Sequence, residues 1–594
     1  MLTYDLGEGE LKNWLVAETR FDPRYCGKCE TIMSLGNGYL GIRSATEERY
    51  CNEKRDTFVA GTFNRSDDKE VSELPNCADV TALLLEMNGI PLDLNKTEPR
   101  EYVRFLNLKT AELTRKFLWE TEETGLVSFE SKRFVSLSDL HLTGQKISIR
   151  AMTKDLSVRI VSGIDGQQTN SGVQHFSDGD KRLFDKKCLQ SIQTTTQSKI
   201  DFVINLVHTL LINGKELDEK GIITADRRRI ALEFDLSVGK GDELVIEKLA
   251  AVHTSRDREW LEHEYSLKKL SERSWRELIG KAQKGYDFHL SRSAEEWERR
   301  VWRKADIEID SDNEPDQLAV RFAQYHLTSM TPFHDNRMNI AAKGLTGEGY
   351  KGHTFWDSEI FILPYFTWSF PEAARSLLEY RYLSLPGARK KARENGYEGA
   401  MFPWESAWLD DGETTPVRGG VDVITGKPVK IWSGFIEQHI TSDIVFAVWQ
   451  YYCVTSDQDF MDRYGYELVM DAAKFWASRL EWDGERGKYC INDVLGPDEY
   501  KEHANNNAFT NYMAKWTIDM AVGFCDELER EKPALYDRLN GKLQLKKAYG
   551  LWKERADKIF LPAPDKDGVL PQDDTYLSKK EIDLTPYKNQ THVG

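Results

Sequence analysis

The hydrophobic period of this chain changes once, near residue 260, and that change limits the folds open to it. Before it, "LVSFESKRFVSL" and "HLTGQKISIRAM" alternate apolar and polar residues, the two-residue period of strands with one buried face. "RRRIALEFDLSVGKGDELVIEKLAAVH" reads as two further strands paired around Gly239–Gly241. Many short strands with polar turns predict a large antiparallel β-sandwich over residues 1–260. The highly charged residues 261–310 are predicted to form a helical linker. From Gln317 onward "QLAVRFAQYHLTSM", "SEIFILPYFTWSF", "PEAARSLLEYRYLSL", "HITSDIVFAVWQYYCV" and "YGYELVMDAAKFWASRL" repeat at 3.6 residues, with no strand runs between them. A helical bundle or helical barrel is therefore expected over 311–594.

A chain of 594 residues is too long for one core, consistent with several domains. Its net charge of −17 argues against nucleic acid or an anionic membrane as partner. The amino terminus is acidic and lacks an apolar core, and the apolar run Ile360–Pro371 is too short to span a bilayer, so a cytoplasmic protein is expected. Cys26 and Cys29 form a CxxC, but no second CxxC and no nearby Cys/His cluster accompany it. Reduced thiols and no metal site are the expectation.

Glycine, tryptophan and acids gather in the loops of the helical part, the usual place for function on a rigid scaffold. "GEGYKG", Gly347–Gly352, matches GxGxxG, but no strand precedes it and helices surround it, so a dinucleotide site is not expected. A backbone passing close to something bulky fits better. In "FWDSE", Trp356 can stack on a sugar ring and Asp357 can accept from two neighbouring hydroxyls; equally, Trp356 can be core and Asp357 a helix cap. "FPWES" repeats the pairing with Trp404 and Glu405, which favours carbohydrate. In "VLGPDEYKEHANNNAFTNY", Asn507 stands at an N-cap position, and Phe509, Tyr512, Met513, Trp516, Met520 and Phe524 share a helix face. Glu499 lies too far ahead of that helix to cap it, and Pro497 restrains the backbone before it. A carboxyl held among aromatic groups is pushed up by desolvation, as a general acid requires. Three readings follow: an inverting glycosidase with two carboxylates, an inverting phosphorylase with one acid, or a sugar-binding protein without catalysis.

The segments "SLGNGYLGIR", "GLTGEGYKGHTFWDSE", "FPWESA", "EQHITSDI" and "GPDEYKEHANNNAFTNYMAKW" resemble the signature segments of glycoside hydrolase family 65, over essentially the whole chain. The resemblance implies an N-terminal antiparallel β-sandwich, a helical linker, an (α/α)6 barrel and a small C-terminal β-domain. It implies Glu499 as general acid, Trp356 and Asp357 as the pair holding the glucosyl unit, and Trp404 and Glu405 near the sugar. It also implies inorganic phosphate as co-substrate with no cofactor, an α-linked glucosyl disaccharide as substrate and a homodimer as the assembly. Kojibiose is the best-fitting substrate, with maltose or nigerose, or an inverting α-glucoside hydrolase of the same fold, as alternatives. By the same resemblance, the phosphate-binding segments and the rest of the barrel would lie beyond Gly594, so the sequence is expected to be a fragment with little activity of its own.

Overall fold

The computed structural model describes residues 2–588 apart from 51–52, 69, 314 and 423, and the phosphate segments expected beyond Gly594 lie outside the described residues. The chain divides into two compact units. One comprises Met1–Asp68, Glu73–Asp335 and Lys343–Gly352; the other comprises Lys69–Ser72, Asn336–Ala342 and His353–Gly594.

The first unit is built on two antiparallel sheets. In the larger, Glu112–Thr121, Gly125–Val135, Leu142–Ala151, Glu243–Thr254, Asp201–Ile212 and Cys188–Thr194 lie side by side in that order. The strand Gly125–Val135 pairs with Leu142–Ala151, Phe129 opposite Ile149, with Val127 and Phe129 buried in the alternation expected of it. The smaller sheet orders Ile222–Asp226, Arg229–Val238, Leu156–Asp165, Leu83–Met87 and Ile90–Pro91. His208 Nε2 in the larger sheet meets Ser162 Oγ in the smaller at 3.0 Å, so the sheets face each other as a sandwich.

One pairing expected from the sequence is different. Arg229–Val238 and Glu243–Thr254 are both strands, but they do not pair: the first joins the smaller sheet and the second the larger, so the turn at Gly239–Gly241 crosses between sheets. Alternation identifies a strand and its buried face but not its neighbour, because either sheet of a sandwich buries the same kind of residue.

Two helices follow, α1 (Leu267–Ala282) and α2 (Gly285–Trp297). Leu278 of α1 completes an apolar cluster with Leu142, Val207 and Leu249 of the larger sheet. A third helix, α3 (Pro315–Met330), and the glycine loop belong to this unit. In that loop Gly352 has φ +76° and a Cβ there would meet the Leu74 side chain at 2.5 Å, so the close backbone approach expected of "GEGYKG" is real and is made to protein.

The second unit is helical: α4 (Leu363–Ser369), α5 (Pro371–Leu383), α6 (Leu385–Glu394), α7 (Ile440–Thr455), α8 (Tyr466–Arg479), α9 (Ala508–Glu531), α10 (Pro533–Leu543) and α11 (Leu545–Lys558). Two short hairpins, Arg418–Val421 with Pro428–Lys430 and Glu481–Asp483 with Lys488–Cys490, interrupt the helices where the sequence showed no strand runs. Helix α7 packs on α4, α5, α8 and α9. Helix α9 buries Ala508, Ala514, Thr517, Ile518 and Ala521, while Tyr512 and Trp516 on its aromatic face remain partly accessible. Small side chains let helix backbones approach closely, which is why that face turns inward. Three helical segments, those beginning at Ser358, Ile440 and Ala508, have "FWDSE", "EQHI" and "HANNN" at their N-terminal ends, and the candidate site forms there.

Candidate active site

The local folding of each loop explains where its side chains go. Asn507 caps α9, its Oδ1 accepting from Thr510 N and Thr510 Oγ1, both at 3.0 Å. Asn506 accepts from Asn511 Nδ2 at 3.1 Å and Asn505 from Asp493 N at 3.0 Å, so the asparagine run is structural. The acid loop is closed at its base by the Val494–Ala504 pair and joined to the α7 entry by the Leu495 N–Ile436 O bond of 3.0 Å. Glu499 stands four residues beyond that junction, at the solvent edge.

Its carboxyl is pushed up to about 7, chiefly by burial of the group and then by the Glu437 and Asp357 carboxylates; His439 works in the opposite direction. Glu499, Asp357, Glu437 and His439 thus form one electrostatic cluster. Asp357 precedes the turn at Ser358–Ile362 but makes no side-chain cap bond, and it is exposed. The capping alternative for Asp357 is therefore not what the fold uses. Trp356 is half-buried, its ring 5.0 Å from His439 and 5.2 Å from Phe361. Phe509 meets His439 on another side at 5.4 Å.

Beneath this rim lies a buried charged row that motif reading did not single out. His439 Nδ1 is 2.6 Å from Asp443 Oδ2, and His439 Nε2 is 3.1 Å from Glu437 Oε1, with all three side chains inaccessible to solvent. Burial opposes charge on His439, but Asp443 and Glu437 outweigh it and raise its pKa to about 9. Burial likewise pushes up Glu437 and Asp443, while the imidazolium favours their charged forms. Further in, Arg381 forks onto Glu359 with two bonds of 2.7 Å and donates to Ser406 Oγ at 3.0 Å and Phe355 O at 3.2 Å. That one guanidinium ties the residues before Trp356 to those after Glu405.

The second aromatic–acid pair divides. Trp404 is buried, edge-on to Phe355 at 4.9 Å, and lies near enough to Glu437 to favour its anion. Glu405 does not join the cluster: its Oε2 is 2.5 Å from His353 Nδ1, with both side chains buried. A carboxylate removed from water needs a partner on hand, and His353 supplies it. The turn that carries both is held by Glu413, which accepts from the backbone N–H groups of Trp404, at 3.0 Å, and Glu405, at 3.1 Å. "EQHITSDI" was a visible signature, but only the i, i+4 spacing of His439 and Asp443 hinted at a buried pair.

Among the described residues, one group brings three metal-type ligand atoms within 4.8 Å of one another, His141, His253 and Asp257 of the first unit. The two imidazoles stack at 4.0 Å and 26°, which sets their in-plane lone pairs side by side instead of converging on one point. The Cys26 and Cys29 thiols are pushed up by burial to about 11 and about 12, away from the thiolate form that binds metal.

An acid of raised proton affinity grouped with two further carboxylates, beside a histidine flanked by Trp356 and Phe509, fits a carbohydrate-active enzyme. The chain belongs to glycosyl hydrolase family 65: residues 16–300 match the family's N-terminal domain and residues 321–593 its central catalytic domain. It is 46% identical to the kojibiose phosphorylase of Halothermothrix orenii over 99% of this chain and 75% of that protein. It is 38% identical to the kojibiose phosphorylase of Escherichia coli over 96% and 72%, and 31% identical to the α,α-trehalose phosphorylase of Thermoanaerobacter brockii over 96% and 74%. A solved structure described as a candidate kojibiose phosphorylase from the human microbiome shares the fold, with a TM-score of 0.84 at 22% identity, covering 98% of this chain and 74% of that one. The sheet-rich N-terminal unit followed by a helical unit is thus the family architecture.

Proposed function

We propose that this protein phosphorolyses kojibiose, an α-linked glucosyl disaccharide, to β-glucose 1-phosphate and glucose. The observation that carries the chemistry is Glu499, a carboxyl raised to about 7 by burial and by the Glu437 and Asp357 carboxylates. In this reading Glu499 gives its proton to the glycosidic oxygen as the C1–O bond breaks. Phosphate forms the new O–C1 bond from the opposite face, inverting α to β. A hydrolase would need a second carboxylate roughly 6.5–9.5 Å away to activate water; phosphate is already an anionic nucleophile and needs no base. Trp356 and Asp357 hold the glucosyl unit, Trp404 lies against the sugar, and Glu405 braces the turn beside it.

Substrate choice is supported by the relatives: kojibiose phosphorylases are 37–46% identical to this chain, whereas a nigerose phosphorylase is 29% identical. The reading also has the enzyme work without a cofactor other than phosphate as co-substrate, as a homodimer and in the cytoplasm, where phosphate is abundant.

The test is phosphate release from β-glucose 1-phosphate with glucose, rhamnose or glycerol as acceptor, run beside Glu499→Gln. Removal of a general acid costs about 10²–10⁴-fold in rate. Glucose formation from kojibiose in phosphate-free buffer would instead make this a hydrolase.

A further inference from the structure

The segment after α11 returns to the candidate site as a strap. Phe560 O accepts from Asn511 Nδ2 at 2.8 Å and Pro562 O from the Tyr512 hydroxyl at 3.0 Å, so the chain first lies against α9. It then meets the asparagine run, where Asp574 N donates to Asn505 O at 3.1 Å and Asp574 Oδ2 accepts from Asn506 Nδ2 at 2.9 Å. Between these anchors lies Gln572, which is used twice. Its carbonyl covers the start of α9, accepting from Ala508 N at 2.9 Å and Asn507 Nδ2 at 3.3 Å. Its side-chain amide crosses to the acid loop, Nε2 donating to Asp498 Oδ2 at 2.8 Å. Asp498 in turn brackets the acid: its other oxygen accepts from Tyr500 N at 3.1 Å, so one carboxylate ties together the residues on either side of Glu499. Among the described residues, no other hydrogen bond from outside the loop reaches residues 496–502.

We infer that Gln572 is a positioning residue for the general acid: through Asp498 it fixes the tip of the acid loop, and with it the direction from which Glu499 meets the glycosidic oxygen. A hydrogen bond at a surface loop usually adds little, because water offers the same partner and ordering two side chains costs entropy. Here the backbone of Gln572 is already fixed at the start of α9, so its amide begins from a set place. The base of the loop is equally fixed, since a Cβ at Gly496 would collide with the Asn507 side chain. What the Gln572 amide adds is control of the tip, where a displacement of about 1 Å is enough to slow a proton transfer steeply. A released tip also lets Glu499 move into water and away from the Glu437 and Asp357 carboxylates, which together with burial raise its proton affinity against the opposing effect of His439.

This inference rests on the assignment of Glu499 as the acid, and its test separates the two. Wild-type protein, Gln572→Met, Asp498→Ala and the double variant are assayed for β-glucose 1-phosphate formation from kojibiose and inorganic phosphate across pH. Gln572→Met keeps the length of the side chain and the carbonyl that covers the start of α9, and removes only the amide. The expected result is a fall in kcat of about 10-fold for Gln572→Met, with KM for kojibiose unchanged and the alkaline midpoint of kcat moved below that of wild-type protein. The double variant should be no slower than Asp498→Ala alone, because Gln572 acts through Asp498. A general loss of folding would lower kcat without moving the midpoint. If wild-type protein is active but Gln572→Met matches it, or lowers kcat with an unmoved midpoint and adds its full effect to that of Asp498→Ala, the positioning role is wrong while the function stands. If wild-type protein forms no β-glucose 1-phosphate from kojibiose, the function itself fails, and the positioning role with it.

Discussion

His439 and Asp443 lie one helical turn apart, Nδ1 to Oδ2 at 2.6 Å, and hold a protonated imidazole in the interior at the N-terminal end of α7. A cation there opposes both desolvation and the positive end of the helix dipole. Two carboxylates offset these costs, Asp443 from within the helix and Glu437 from the residues before it.

That arrangement makes stability depend on pH. The folded His439 binds its proton up to about 9, against an ordinary value of 6.5. Its contribution is therefore complete below pH 6.5 and is lost as pH rises through 9. The raised carboxyls of Glu437 and Asp443 act with the same sign. The melting temperature is expected to fall between pH 6.5 and 9, by the equivalent of about 3 kcal/mol for His439 alone. Thermal melts of His439→Gln over that window should be flatter; an unchanged slope would show that the imidazole is not the titrating group.

Activity should follow Glu499. An acid raised to about 7 is protonated below that pH and progressively ionised above it, so the rate of phosphorolysis declines on the alkaline side with a midpoint near 7. Glu437→Gln removes one of the charges that raise it, and the midpoint should move to lower pH in kcat profiles. A midpoint that stays in place would mean that burial alone tunes Glu499.

Arg381 and Glu359 are a buried ion pair with no exposure on either side. Arg381→Met would leave Glu359 without its partner, and breaking such a pair costs about 3–5 kcal/mol. Because Arg381 also holds Phe355 O and Ser406 Oγ, the same variant should lose activity along with stability. Chemical denaturation with a parallel rate assay measures both; a stable, inactive variant would contradict this account.

Asp357 and Glu405 looked alike in the sequence but should behave differently when neutralised. Asp357 is exposed and makes no cap bond, so Asp357→Asn should leave the melting temperature unchanged and raise KM by roughly 10–100-fold if it holds sugar hydroxyls. Glu405→Gln weakens the buried contact with His353, so its main effect should be about 1–3 kcal/mol of stability. Equal effects of the two substitutions on KM would return Glu405 to the sugar.

Much of this was legible in one dimension. The change from period 2 to period 3.6 is a local property, because each strand or helix buries one face whatever it packs against, and so the sheet-rich and helical parts could be read directly. Asn507 could be recognised as a cap because capping is decided within four residues. What the tertiary structure decided is everything that depends on which surfaces meet. It separated Arg229–Val238 from Glu243–Thr254 into different sheets, and turned the small residues of α9 inward instead of its aromatic rings. It sent Glu405 to His353 while leaving Asp357 open, and built the Glu437–His439–Asp443 row beneath Glu499. The physical reason is common to Glu405 and Glu499: a carboxylate's proton affinity and role come from its burial and from groups brought to it by distant segments, His353 to Glu405 and the Asp357 and Glu437 carboxylates to Glu499, and neither is written in its own neighbours along the chain.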